Sequence, residues 1–352
     1  MSARSLLTPA RLHTRGRRRA HLAALPLAAA AVLLATGCAA GPPQPTTGLG
    51  ANGPCTSTTT SIPDPNASGQ TINITVPGGS AAAPIGGGTC DAASRPVVIV
   101  VHGLLAGIPA VYQDLVTHLV SVGNVVVFAT YNTDTNDFVG SYNHEDAALV
   151  TAKANPATAR GDFSRLGIIG HSMGGGAVPY LAKKAAARGW GATSFWLMPL
   201  APWYAAGIGT GPIDVPAHTR VVVEGYDNDT LVDNRIGIEL YKAFTVPAAQ
   251  KQHVTVRSQT KDGVTLNAQH TSPNSIIAPN DAIKFYGIYR IADATQTCSL
   301  SGANCDADLS FMGKWADGTA VTPALSTDAP VDLGPAASQE CTAASNPRAA
   351  NC

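Results

Sequence analysis

Residues able to do nucleophilic chemistry cluster at one point of the chain. Gly170-His171-Ser172-Met173-Gly174 follows the apolar run Leu166–Gly170 and precedes an Ala-rich stretch. A serine flanked by very small residues at a strand-to-helix turn stands clear of the sheet with its Oγ exposed. A free hydroxyl is a weak nucleophile at neutral pH. It needs a general base, and the base needs a group that orients it. Three histidines lie downstream: His218, His253 and His270. Two of them precede or begin predicted strands, where α/β active sites do not form. His270 sits in a loop after a strand, at the end where such sites assemble, and is taken as the base. The loop Gly225–Thr230 offers Asp227 and Asp229, and Asp233 follows. Asp229 is the preferred acid, with Asp227 the main competitor.

These residues need a frame. Strands are expected at Thr71–Val76 (an edge strand), Pro96–Val101, Asn124–Thr130, Leu166–Gly170, Ser194–Met198, Thr219–Glu224 and His253–Arg257. Helices are expected near Ala110–Val122, Glu145–Asn155, Gly175–Arg188, Arg235–Phe244 and Asn280–Ile291. PVVIVV at Pro96–Val101 is a continuous β-branched run, suited to a strand buried on both faces. Alternation of strand and helix predicts an α/β fold with a mostly parallel sheet covered by helices. The loop after Pro96–Val101, His102-Gly-Leu-Leu-Ala-Gly107, would bring the Leu104 amide beside that of Met173. Two such N–H groups can hold a tetrahedral oxyanion. His102 itself reads as a packed loop residue.

"SRLGIIGHSMGGGA", "PLAPW", "GYDNDT" and "HTSPN" resemble the corresponding segments of the bacterial cutinase and polyester-hydrolase family, which has the α/β-hydrolase fold. The stretch around Val97–Val127 also resembles chlorophyllase- and dienelactone-hydrolase-like relatives. The likeness covers about residues 70–298. It implies a cofactor-free serine carboxylester hydrolase working through an acyl-enzyme. Ser172 would be the nucleophile, Asp229 the acid, His270 the base, Leu104 and Met173 the oxyanion amides, and Trp203 a substrate-stacking indole. The sequence departs from the family in three places, one of them the charge-free tether and lipobox that replace simple secretion. Leu104 stands where polyester hydrolases usually carry an aromatic, and Leu231-Val-Asp233 replaces an Ile-Ala-Pro run. The same triad would serve an acyltransferase of cell-envelope lipids, and a silent scaffold would make a binding lipoprotein.

The 352 residues carry 23 basic and 23 acidic side chains, only 13% charged against an ordinary quarter or so. Six arginines lie within residues 1–37, which hold no Asp, Glu or Lys. Without that stretch, 17 basic side chains face 23 acids, a net charge of −6. Such a surface excludes a nucleic-acid partner. The arginine-rich start and the apolar run Leu22–Ala35 read as an export signal over 1–37, too short to span a bilayer. Ala-Thr-Gly-Cys at 35–38 resembles a lipobox, which makes Cys38 a lipidation site and the membrane a partner through that anchor. The expected location is the outer face of the bacterial cell membrane, or secretion, with the protein a monomer. Residues 38–65 read as a flexible tether, 66–298 as the catalytic domain and 299–352 as an irregular extension. Apart from Cys38 there are six cysteines, which fits an oxidising compartment and up to three disulfides. Fifteen pairings are possible, and proximity favours Cys55–Cys90, Cys298–Cys305 and Cys341–Cys352. No cysteine or histidine cluster has zinc spacing, so no metal is expected.

Overall fold

The computed structural model describes residues 41–352. The export signal read over 1–37 and the lipidation site Cys38 lie outside the described residues. In chain order the elements are β1 (Thr56–Pro63), β2 (Thr71–Gly78), β3 (Arg95–Val101), α1 (Gln113–Ser121), β4 (Val125–Ala129), α2 (Phe138–Ala154), β5 (Gly161–His171), α3 (Met173–Ala187), β6 (Ser194–Leu200), β7 (Arg220–Tyr226), α4 (Asn234–Ala243), β8 (Lys251–Val256), β9 (Gln259–Lys261), β10 (Val264–Leu266), α5 (Arg290–Ser301) and β11 (Leu325–Thr327). Nine strands form one sheet in the order β1-β2-β4-β3-β5-β6-β7-β8-β11. The six strands from β4 to β8 run parallel, and β1, β2 and β11 pair antiparallel at the edges. The chain is therefore α/β, with a mostly parallel sheet.

Every residue of β3, β4 and β6 is buried. The sheet separates two apolar layers. Val97, Ile99, Leu166, Ile168 and Val223 face one side with α2, α3 and α4, and Val98, Val100, Ile169, Met198 and Val254 face the other with α1 and α5. Each fully buried Val or Ile contributes about 1.5–3 kcal/mol, so the parallel centre is the firmest part of the molecule.

Several expectations need correction. The predicted tether contains β1, so β2 is not an edge strand. The Thr-rich run 56–60 pairs with β2 along its whole length, and Cys55, at its head, is bonded to Cys90. β-Branched threonines suit an exposed, pleated edge. Helix α2 begins at Phe138, seven residues before the expected start. Gly140, Ser141 and Asn143 are weak helix formers, but the Asp137 carboxylate caps the Gly140 amide at 2.7 Å. The last helix is longer than expected. A π-helical stretch, Ile283–Tyr289, runs into α5, which ends at Gly302 with φ +72°. The C-terminal extension is irregular for most of its length but supplies β11 and places Met312, Trp315, Val321 and Cys341 in the core. The three disulfides are Cys55–Cys90, Cys298–Cys305 and Cys341–Cys352. Among the described residues, no helix is long and apolar enough to cross a membrane.

Candidate active site

The turn between β5 and α3 is sterically dictated. Ser172 has φ +57° and ψ −120°, a left-handed conformation that few L-residues adopt. A Cβ at Gly170 would lie 2.2 Å from the Gly174 carbonyl oxygen, and one at Gly174 would lie 2.3 Å from that of Val101. Both positions therefore demand glycine. The Ser172 amide is held by the Leu200 carbonyl, and the Ser172 carbonyl accepts from the amides of Trp203 and Gly176.

Three loops at the C-terminal ends of the strands meet over this turn. His270 Nε2 lies 2.9 Å from Ser172 Oγ, and His270 Nδ1 lies 2.8 Å from Asp229 Oδ2. The other oxygen of Asp229 accepts from the amides of Leu231 and Val232, at 2.8 and 2.9 Å. All three side chains are buried. The carboxylate thus has both oxygens engaged and fixes the imidazole so that its outer nitrogen meets the hydroxyl. The competing acids do other work. Asp227 accepts from the Ser258 amide and hydroxyl. Asp233 caps α4 and pairs with Arg235. His218 meets the Gly191 carbonyl, while His253 is buried in β8, its pKa lowered to about 4 by burial. Neither reaches Ser172.

Leu104 follows β3 and Met173 opens α3, and no protein hydrogen bond within the described residues takes up either amide. His102 packs as expected. It stacks on Tyr131 at 4.1 Å, accepts from the Tyr131 amide through Nε2 and donates to the Gly103 carbonyl through Nδ1. Burial lowers its pKa to about 4, so it stays neutral. Trp203 borders the cavity, but it is only 7% exposed and packs edge-on to Phe138 at 5.0 Å. Its indole is part of the wall rather than a free stacking face.

A second network lies directly beneath and was not foreseen from the sequence. His171 Nε2 donates to the His270 carbonyl at 2.7 Å. Burial, then the neighbouring His270, lowers the His171 pKa to about 3. Its ring is therefore neutral, and Nδ1 must accept; the Tyr112 hydroxyl donates to it at 2.8 Å. The Tyr112 oxygen in turn accepts from the Gly103 amide at 3.0 Å. One chain of hydrogen bonds thus joins the loop after β3, the serine turn and the His270 loop. His171 was visible inside the glycine motif, but nothing in the sequence paired it with Tyr112.

The cavity above Ser172 measures about 280 Å³ and is lined by Leu104, Ala106, Trp203, Leu231, Val232, Thr271, Asn274 and Gln339, among others. No Asp, Glu, Lys or Arg lines it. The same loops expose Leu105, Ile108, Leu231, Ile276 and Ile277 to solvent. Among the described residues no group of three or more His, Cys, Asp or Glu side chains could hold a metal ion. No protein-family model matches the chain, and no curated protein matches it in sequence.

Proposed function

We propose that the chain is a serine carboxylester hydrolase of the α/β-hydrolase fold, similar to the bacterial cutinases and polyester hydrolases. The observation that carries the reading is the continuous line from Ser172 Oγ through His270 to Asp229, with both contacts under 3 Å. Further support comes from the chain order Ser, Asp, His, from the turn after β5, and from the β3–α1 loop that supplies Leu104. Ser172 attacks the ester carbonyl as His270 takes its proton. The imidazolium then protonates the leaving alcohol, and Asp229 stabilises the cation. The amides of Leu104 and Met173 hold the oxyanion. Water, deprotonated by His270, attacks the acyl-enzyme, and proton return to Ser172 releases the acid. No step calls for a cofactor.

The uncharged cavity and the exposed aliphatic residues around it favour a neutral, apolar ester. Leu104 offers no ring to clamp an aromatic acyl group, so aliphatic esters fit better than aromatic polyesters. Export through residues 1–37 and anchoring at Cys38 belong to the same proposal and agree with the three disulfides. The test is Ser172→Ala assayed with p-nitrophenyl butyrate, together with fluorophosphonate labelling of the unmutated protein. Turnover should fall to background and label should attach to Ser172. Undiminished turnover in the variant, or an unlabelled serine, overturns the proposal.

A further inference from the structure

Residues 329–352 approach the site from outside the strand–helix frame. They run beside the loop that carries Asp229 and meet it in a single parallel bridge, Val232 to Gln339. The Ser338 amide donates to the Thr230 carbonyl at 3.1 Å, and the Gln339 amide donates to the Leu231 carbonyl at 2.8 Å. The Asp233 amide returns a bond to the Gln339 carbonyl at 3.1 Å, and the Cys341 amide donates to the Asp233 carboxylate at 3.0 Å. The far end is locked. Cys341 is bonded to Cys352, and the buried Arg348 guanidinium grips Glu239 at 2.6 Å and the carbonyls of Gly209 and Gly211. This segment is therefore a fixed strap and one wall of the cavity.

Gln339 is the strap residue that lines the cavity with Ser172, His270 and Trp203. Its backbone is fully engaged by the Asp229 loop. Its side-chain amide makes no hydrogen bond among the described residues, although the residue is half-buried. Its neighbours Leu231 and Val232 are apolar, and the buried Trp203 indole N–H has no hydrogen-bond partner among the described residues. Asn274, also in the lining, has its side-chain oxygen occupied by the amides of Ile276 and Ile277. Gln339 thus offers an unpaired donor and acceptor in the same cavity as Ser172, in a lining without Asp, Glu, Lys or Arg. That chemistry suits a neutral oxygen better than a carboxylate or an ammonium group.

We propose that Gln339 determines specificity by hydrogen-bonding an uncharged oxygen of the substrate, a second ester carbonyl or a hydroxyl, a few atoms from the scissile ester. The proposal rests on the ester-hydrolase reading. It predicts that the preference for esters carrying such an oxygen over plain alkyl esters depends on the Gln339 side chain. The experiment compares p-nitrophenyl butyrate with the p-nitrophenyl ester of monomethyl succinate, for the unmutated protein, Gln339→Leu and Gln339→Met. One neutral hydrogen bond is worth about fivefold in affinity. The ratio of kcat/KM, succinate ester over butyrate, should fall about fivefold in both variants, through a rise in KM for the succinate ester. An unchanged ratio overturns the proposal, and so does an equal loss on both esters, which marks a structural role. If the unmutated protein hydrolyses neither ester and Ser172 takes no fluorophosphonate, the hydrolase reading fails first and the assignment of Gln339 falls with it.

Discussion

Tyr112→Phe tests the hidden network with the loss of a single oxygen atom. The ring stays, so the cavity wall and the packing against Phe128 and His171 are kept. Two buried hydrogen bonds are lost, one to the Gly103 amide and one to His171 Nδ1. Each leaves a buried polar group without a partner, at about 1–3 kcal/mol apiece. We expect a stability loss of about 2–6 kcal/mol and a Tm lower by about 3–9 °C. The kinetic effect is separate. Gly103 precedes Leu104, whose amide is to meet the oxyanion, and His171 holds the carbonyl of His270. Freeing both loosens groups that act in the transition state and leaves ground-state binding alone. Removing a whole oxyanion donor costs about 10²–10³ in kcat, and a displaced one should cost about tenfold. The loss should fall on kcat, with KM little changed. Melting curves and initial rates on p-nitrophenyl butyrate, at a temperature where the variant is folded, read both effects. A folded variant with kcat within twofold of the parent would refute the coupling.

Two further substitutions test other parts of the site and frame. Asp229→Asn preserves shape but removes the charge that stabilises the imidazolium, so kcat should fall about 10⁴-fold; a loss under tenfold on p-nitrophenyl butyrate would mean that another acid serves. Glu145 on α2 is wholly buried, and neither of its oxygens has a partner. Burial, reinforced by Asp64 and Asp146, raises its pKa well above the usual carboxylate range. The protonated form is the one that fits the fold. The unfolded chain releases this proton near pH 4.5 while the folded chain keeps it. Stability is therefore lost as pH rises from about 4.5 towards the folded pKa, at about 1.4 kcal/mol per unit. Glu145→Gln mimics the neutral form and should remove that slope, so its Tm advantage grows between pH 4.5 and 8. A Tm difference that does not change with pH would show that the carboxyl is not neutral in the fold.

The parts legible in the sequence are those fixed by local sterics and periodicity. PVVIVV could only be a strand buried on both faces, and it became β3. The glycines around Ser172 admit no side chain, so the turn was readable residue by residue. The meeting of Ser172, Asp229 and His270 followed from chain order and from the strand ends that carry them. The short disulfide loops matched the pairing that sequence proximity favoured. What could not be read depends on partners far away in the chain. β1 has no alternating apolar face and becomes a strand only because β2 offers an open edge. The first turns of α2 hide behind Gly140 and Ser141 until the Asp137 cap is seen. Tyr112 and His171 are 59 residues apart and form a pair only once β3 and β5 lie side by side. The strap had the composition of a loose tail, yet its backbone hydrogen bonds make it a partner of the Asp229 loop.

That last case bears on how the acid is held. Only seven residues separate the end of β7 from the start of α4, and Asp229 sits among them with no regular structure of its own. Its local support comes from the Leu231 and Val232 amides on its carboxylate and from its own amide on the Tyr226 carbonyl, while Asp227 and Asn228 tie the start of the loop to Val256, Ser258 and Ala268. A functional carboxylate must be held within about 0.5 Å of its working position, and these contacts leave the carbonyls of Thr230 and Leu231, just after Asp229, to be held from elsewhere. The strap adds five hydrogen bonds to residues 230–233 and is itself clamped by a disulfide and a buried ion pair. The opposite end of the described chain is fastened in a similar way, through the Gly50 amide on Asp293 and Asn52 on His118. The loop after Asp229 is therefore braced by a segment about a hundred residues further on, so part of the cavity lining and a support for that loop come from the same stretch of chain.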